Sequence, residues 1–200
     1  MCFLRDLSAD SALATLEESL PYREWILGVG LDSDERGNPP VKFREVFARA
    51  RDEGFRLTMH CDVDQEGSVE HIWQCLDEIG VERIDHGVNS LEDPSLVREI
   101  ERRGLGLTVC PISNSYVAGG LKARELKTML DNGMRATVNS DDPAYFPGYV
   151  AENLAAAQGA AGLTREEVVQ LERNAFTVAW LTDDERAPYL QSLEAYATSA

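Results

Sequence analysis

Short apolar runs alternate with longer amphipathic stretches from one end of the chain to the other. The runs at residues 1–4, 25–31, 55–60, 83–86, 106–110 and 135–138 are bounded by Asp, Gly or Pro and predict buried strands. Residues 8–19, 41–53, 69–79, 93–103 and 122–132 place apolar side chains three or four apart with charges opposite, which predicts helices. Strand ends fall near Arg5, Asp32, Cys61, Gly87, Pro111 and Asp141, a repeat of 24 to 30 residues. That spacing fits one βα unit after another in a parallel sheet. It is the period of a (β/α)8 barrel, which has eight units and usually about 250 residues. The expectation is therefore an α/β fold, a partial TIM-type barrel of about the last six βα units, in a single domain over residues 1–200 that lacks the first strands.

Beyond the sixth strand the pattern turns helical, at residues 149–158, 164–180 and 183–196. The second of these opens on Thr164-Arg-Glu-Glu, the pattern of a capping box. Gly159-Ala-Ala-Gly162 reads as a turn between helices, and no linker-like or low-complexity tract marks a second domain.

Composition narrows the partners. An apolar content of 44% over 200 residues is enough for a core, and a formal charge of −16 would repel phosphate backbones and anionic lipids. A small neutral or cationic ligand fits better than nucleic acid or a membrane surface. Cys2, Cys61, Cys75 and Cys110 form no CxxC pair, so neither a zinc knuckle nor a disulfide framework is expected. The opening lacks a signal-peptide core, and no stretch approaches the roughly 20 apolar residues of a membrane span. A soluble cytoplasmic protein, with an oligomer left open, is the resulting expectation.

Two of the three histidines, His60 and His86, sit where a predicted strand ends. In barrels of this kind the C-terminal strand ends form the active-site face, so polar residues there project into the mouth. The alternative for either one alone is a histidine satisfied by a backbone carbonyl. His71, in an amphipathic stretch beside Glu70, reads as solvated surface. A third strand end, Thr137-Val-Asn-Ser-Asp-Asp-Pro143, presents adjacent carboxylates at Asp141 and Asp142. Such a pair can divide labour between a cation and a substrate nitrogen, although Asp-Asp-Pro is also ordinary turn chemistry.

Thr58-Met-His60-Cys61-Asp62, Arg83-Ile-Asp-His86-Gly87, Val109-Cys-Pro-Ile-Ser-Asn114 and Asn139-Ser-Asp141-Asp142-Pro143 occur in order along the chain. In order and spacing they resemble the last strands of the adenosine/adenine deaminase family, a branch of the amidohydrolase barrels. Gly30-Leu-Asp32-Ser33, the following Asn38-Pro-Pro-Val-Lys-Phe43 and residues 139–150 resemble the adenine deaminase subgroup.

The resemblance implies roles. His60 and Asp141 match two zinc ligands, His86 the histidine that orients the attacking hydroxide, and Asp142 the residue that hydrogen-bonds purine N7. One Zn2+ per site is implied, with two further histidine ligands expected from a His-x-His strand upstream of Met1. The reaction implied is hydrolytic deamination at C6 of a purine, adenine first and adenosine second. The family's proton-donating glutamate lies three residues after the strand-end histidine, where this chain has Val63. The loop reads as about two residues longer, which leaves Asp64 and Glu66 as candidate donors and Asp62 as a weaker third. Asp32, Ser33 and Glu35 are candidates for contact with the purine edge, with a plain turn as the alternative.

Other features carry less. Cys61 should point away from His60 into the core, since strand side chains alternate. Trp25, Trp73 and Trp180 read as core, and residues 113–120 as a loop over the pocket. Competing readings are an inactive truncated remnant of such an enzyme and an amidohydrolase with another substrate.

Overall fold

A computed structural model describes residues 1–61, 63 and 65–199. Contacts divide the chain into two units, Met1–Leu96 and the remainder from Val97 on.

The first unit contains strand β1 (Cys2–Leu4), helix α1 (Ala9–Ser19), β2 (Gly28–Asp32), α2 (Arg44–Asp52), β3 (Arg56–Cys61), α3 (Ser68–Gln74) and β4 (Arg83–His86). Helix α4 (Pro94–Arg103) carries the division between the units. β1 pairs in parallel with β2, β2 with β3 and β3 with β4, with His60 opposite Asp85 and Cys61 opposite His86. Parallel neighbours require a crossover, and a helix supplies each one. The core under these helices is apolar and includes Phe3, Leu16, Phe43, Phe47, Met59 and Ile84. Phe3 and Phe47 meet edge to face at 5.7 Å, which fastens α2 over β1.

Local chemistry sets the boundaries. Ser8 caps α1 by accepting from Ser11 N at 3.1 Å. The helix predicted over 41–53 opens as a 3-10 turn at Pro40–Phe43, and the one over 69–79 closes as a π turn at Cys75–Ile79, ended by left-handed Gly80. The strand predicted from residue 25 starts only at Gly28, because Leu20–Trp25 winds into a 3-10 turn with proline in its opening turn. Trp25 consequently stands 81% exposed, contrary to its expected place in the core. Trp73 and Trp180 are half-buried rather than enclosed.

The second unit contains β5 (Gly106–Val109), α5 (Pro111–Val117), α6 (Ala123–Asp131), β6 (Arg135–Val138), α7 (Val150–Ala161), α8 (Arg165–Val178) and α9 (Asp183–Ser199). β5 and β6 pair in parallel. α8 packs on both strands, closely enough that Val178 lies directly over Gly106. The capping box forms as expected: Thr164 Oγ1 accepts from Glu167 N at 3.2 Å, and Glu167 Oε2 accepts from Thr164 N at 2.7 Å.

Two readings change. Most of the predicted loop at 113–120 is the helix α5, whose start is set by Pro111 and whose Ile112 N donates to Asn153 Oδ1 at 2.9 Å, tying it to α7. The predicted turn at Gly159–Gly162 is helical as far as Ala161, and only Gly162, at φ 65°, ends the helix.

Candidate active site

In the first unit three strand ends converge through one buried cation. Arg5, just past β1, is fully buried. Its Nη1 donates to Glu35 Oε1 at 3.1 Å and to the His60 carbonyl at 2.8 Å, while Nε and Nη2 donate to the Asn38 carbonyl at 3.0 and 2.8 Å. Lys42 Nζ closes the network by donating to the Arg5 carbonyl at 2.9 Å and to Asn38 Oδ1 at 2.7 Å. The loop after β2 is thus a fixed platform, and its acid Glu35, only 9% exposed, is no plain turn residue.

Glu35 Oε1 lies 2.5 Å from Nδ1 of His60, which leaves Nε2 as the ring atom able to face a ligand. Burial alone would push the His60 imidazole down. The bond to Glu35, with the negative charges of Glu35, Asp32 and Asp85, outweighs it and holds the ring above its ordinary pKa. Cys61, next along β3, is buried in the core on the opposite face, as expected.

His86 reaches His60 against the strand rule. Alternation along β4 would put its side chain on the core face with Ile84. Instead its backbone is left-handed, φ 64°, and its buried ring sits 4.4 Å from that of His60, the planes 65° apart. Among the described residues four non-glycines have positive φ: Ser33, His86, Lys122 and Asp141. Three of these, Ser33, His86 and Asp141, are among the residues singled out from the sequence, each at or just after a strand end. Held backbone strain of this kind clusters where function requires a particular side-chain direction.

Asp32 and Ser33 are exposed at the end of β2, where Ser33 N donates to Asp32 Oδ1 at 2.7 Å. Glu66 is also exposed and lines a cleft of about 320 Å³ with Glu35, Arg36, Gly37, Gln65 and His71. His71 is therefore half-buried at a cleft wall rather than simply solvated. Asp64 and Asp62 lie outside the described residues.

In the second unit Asp141 and Asp142 follow β6. Asn139 N donates to the Val109 carbonyl at 2.9 Å, and Asn139 Nδ2 to Thr137 Oγ1 at 2.7 Å, so the strand stays anchored up to the acidic pair. Asp141 then turns left-handed at φ 56°, and the Asp142 carbonyl accepts from the amides of Tyr145 and Phe146, both at 2.9 Å.

Residues 1–196 match the family model for adenosine deaminase. The chain belongs to the adenosine deaminase family. Relatives of the chain include an uncharacterized deaminase of Schizosaccharomyces pombe, 49% identical over all of this chain and 59% of that protein. An adenine deaminase of Streptomyces coelicolor is 50% identical over 98% of this chain and 58% of its own length. The crystal structure of adenine deaminase from Arthrobacter aurescens superposes with a TM-score of 0.92 at 38% identity, covering 99% of this chain and 61% of that one. The fold is accordingly the expected partial (β/α)8 barrel with additional C-terminal helices. A Burkholderia ambifaria amidohydrolase solved with bound zinc is 24% identical, covers 100% of this chain and 58% of that one at a TM-score of 0.87, and supports the fold alone. The chain thus spans about 59% of the length of a curated relative it matches.

Missed in the sequence were the fixing role of Arg5 and the contact of Glu35 with His60. The signal available was weak: an arginine one residue past an apolar run, where a charge would otherwise be solvated.

Proposed function

We propose that this chain serves the zinc-dependent hydrolytic deamination of a purine base, adenine before adenosine, yielding hypoxanthine and ammonia from adenine and water. The observation that carries this reading is the His60–His86 pair, held 4.4 Å apart by a left-handed backbone at the end of β4. The residues fit a metal: His60 keeps Nε2 available while a buried carboxylate holds Nδ1, an arrangement common behind zinc-ligating histidines. His60 and Asp141 would hold the ion as two of four protein ligands, two further histidines completing the set. When bound, zinc supplies a hydroxide nucleophile at neutral pH by lowering the pKa of water.

The chain's own residues do the rest. His86 orients the attacking oxygen and stabilises its charge, Asp142 hydrogen-bonds N7, and Asp32 and Ser33 border the purine edge. Glu66 or Asp64 delivers a proton to ring N1 as C6 is attacked, and ammonia leaves with the C6–N bond broken. The exposed position of Glu66 in a cleft shared with Glu35 suits a donor on a loop that closes over the ring. Purine salvage in the cytosol is the setting proposed. No helix among the described residues is long and apolar enough to cross a membrane.

The test is loss of ultraviolet absorbance with adenine and with adenosine, using zinc-loaded full-length protein. Faster loss with adenine supports the reading, and turnover of neither purine overturns it. Glu66→Gln and Asp64→Asn identify the donor: if both retain full turnover, the loop supplies no proton.

A further inference from the structure

We infer that Glu35 is a positioning residue for His60: its carboxylate, kept ionised by Arg5, fixes the imidazole as the Nδ1–H tautomer and reserves the Nε2 lone pair for a metal. The inference deepens the reading of His60 as a ligand and rests on it for the metal alone.

Three observations carry it. First, Arg5 Nη1 at 3.1 Å and His60 Nδ1 at 2.5 Å both face Glu35 Oε1. A guanidinium does not give up its proton in a protein, so Oε1 must accept from Arg5. Second, a carboxylate with 9% exposure is costly unless its charge is compensated, and Arg5, itself fully buried, supplies that compensation at the same oxygen. An ionised Glu35 has no proton to give, so Nδ1 of the neutral ring must be the donor and Nε2 the bare nitrogen. Third, the platform is built to hold this geometry: Arg5 also binds the His60 and Asn38 carbonyls, and Lys42 binds Asn38 Oδ1. Were Glu35 only a partner for Arg5, its loop would not need to bring Oε1 within 2.5 Å of the ring.

The experiment is long-range 1H–15N correlation of the histidine rings in the metal-free chain at alkaline pH, where the imidazole is neutral. Wild type is expected to show a protonated Nδ1 and an unprotonated Nε2 at His60. In Glu35→Gln the amide oxygen goes to Arg5 and the amide nitrogen faces Nδ1, so the ring should switch to the Nε2–H tautomer. Glu35→Asp should keep the wild-type tautomer. An Nε2–H tautomer in wild type overturns the inference even if no variant folds, and so does an unchanged tautomer in folded Glu35→Gln.

Zinc titration of the same samples separates the two levels. Zinc should move the His60 Nε2 resonance in wild type and bind about 10–100-fold more weakly in Glu35→Gln. Equal zinc affinity in the two would overturn the positioning role. A wild-type Nδ1–H ring that zinc leaves untouched would overturn the assignment of His60 as a ligand and leave the Glu35-fixed tautomer standing.

Discussion

The guanidinium of Arg5 donates to the backbone carbonyl of His60 at 2.8 Å, across 55 residues of sequence. Through its second bond, to Glu35, it also governs the side chain of the same histidine. One buried cation therefore sets both the main chain and the ring at the end of β3. Removing it should be expensive. Arg5→Met leaves Glu35 buried without its counter-charge and is expected to destabilise the protein by about 3–5 kcal/mol. Urea unfolding measures this, and Arg5→Met with Glu35→Met should recover part of the loss because no charge remains unpaired.

His86 should matter to turnover and not to folding. Asparagine tolerates the left-handed backbone that His86 adopts at φ 64°, so His86→Asn removes the imidazole without straining the chain. In zinc-loaded full-length protein this change should lower the turnover of adenine by about 10²–10⁴-fold. Zinc affinity should stay near wild type, since His86 is not assigned as a ligand. An unaltered rate would remove His86 from the mechanism.

The acid limb of stability should carry the signature of Asp93. Hydrogen bonds from the Ser95 hydroxyl, from Trp73 Nε1 at 3.0 Å and from the Ser95 amide lower this carboxyl to about 2, below its ordinary 3.8. A group depressed in the folded state stabilises above its unfolded pKa and loses that contribution as pH falls through the folded one. The contribution of Asp93 is thus complete above about pH 4 and disappears toward about pH 2. Asp93→Asn should flatten the pH dependence of the melting temperature in that window and leave its shape at neutral pH unchanged.

Packing of α8 on β5 makes a further prediction. A Cβ added at Gly106 would lie 2.7 Å from Val178 Cβ and 2.8 Å from its Cγ2. Gly106→Ala should cost about 1–3 kcal/mol through forced displacement of the helix. Gly106→Ala with Val178→Ala should be better than the sum of the single changes, and a double-mutant cycle by thermal unfolding would register that coupling.

What the chain's pattern discloses is the ladder of units and the strand ends, because Asp, Gly and Pro stop each strand where the site begins. The Thr164 box is equally legible, since both of its bonds are local. Three things were not. The His60–His86 contact depends on one backbone angle that reverses the alternation rule on which strand readings rest. The burial of Glu35 depends on Arg5, 30 residues away, and by itself the loop after β2 reads as a turn. Helix α5 has only seven residues, too few for an apolar periodicity to declare itself, and the glycine pair beyond it suggests a loop. At Trp25 the 3-10 segment Leu20–Trp25, with Pro21 in its opening turn, takes over the first residue of the predicted strand and leaves its indole exposed.

The left-handed backbones at Ser33, His86 and Asp141 also bear on how these positions could be re-engineered. At such positions β-branched and bulky residues are genuine outliers, while Gly, Asn and Asp are accommodated. A saturation library at these three codons would mostly yield clones in which the loop refolds before any new substrate is sampled. Diversity is better placed at neighbours with ordinary backbone angles, with a small polar set at Ser33, His86 and Asp141 themselves.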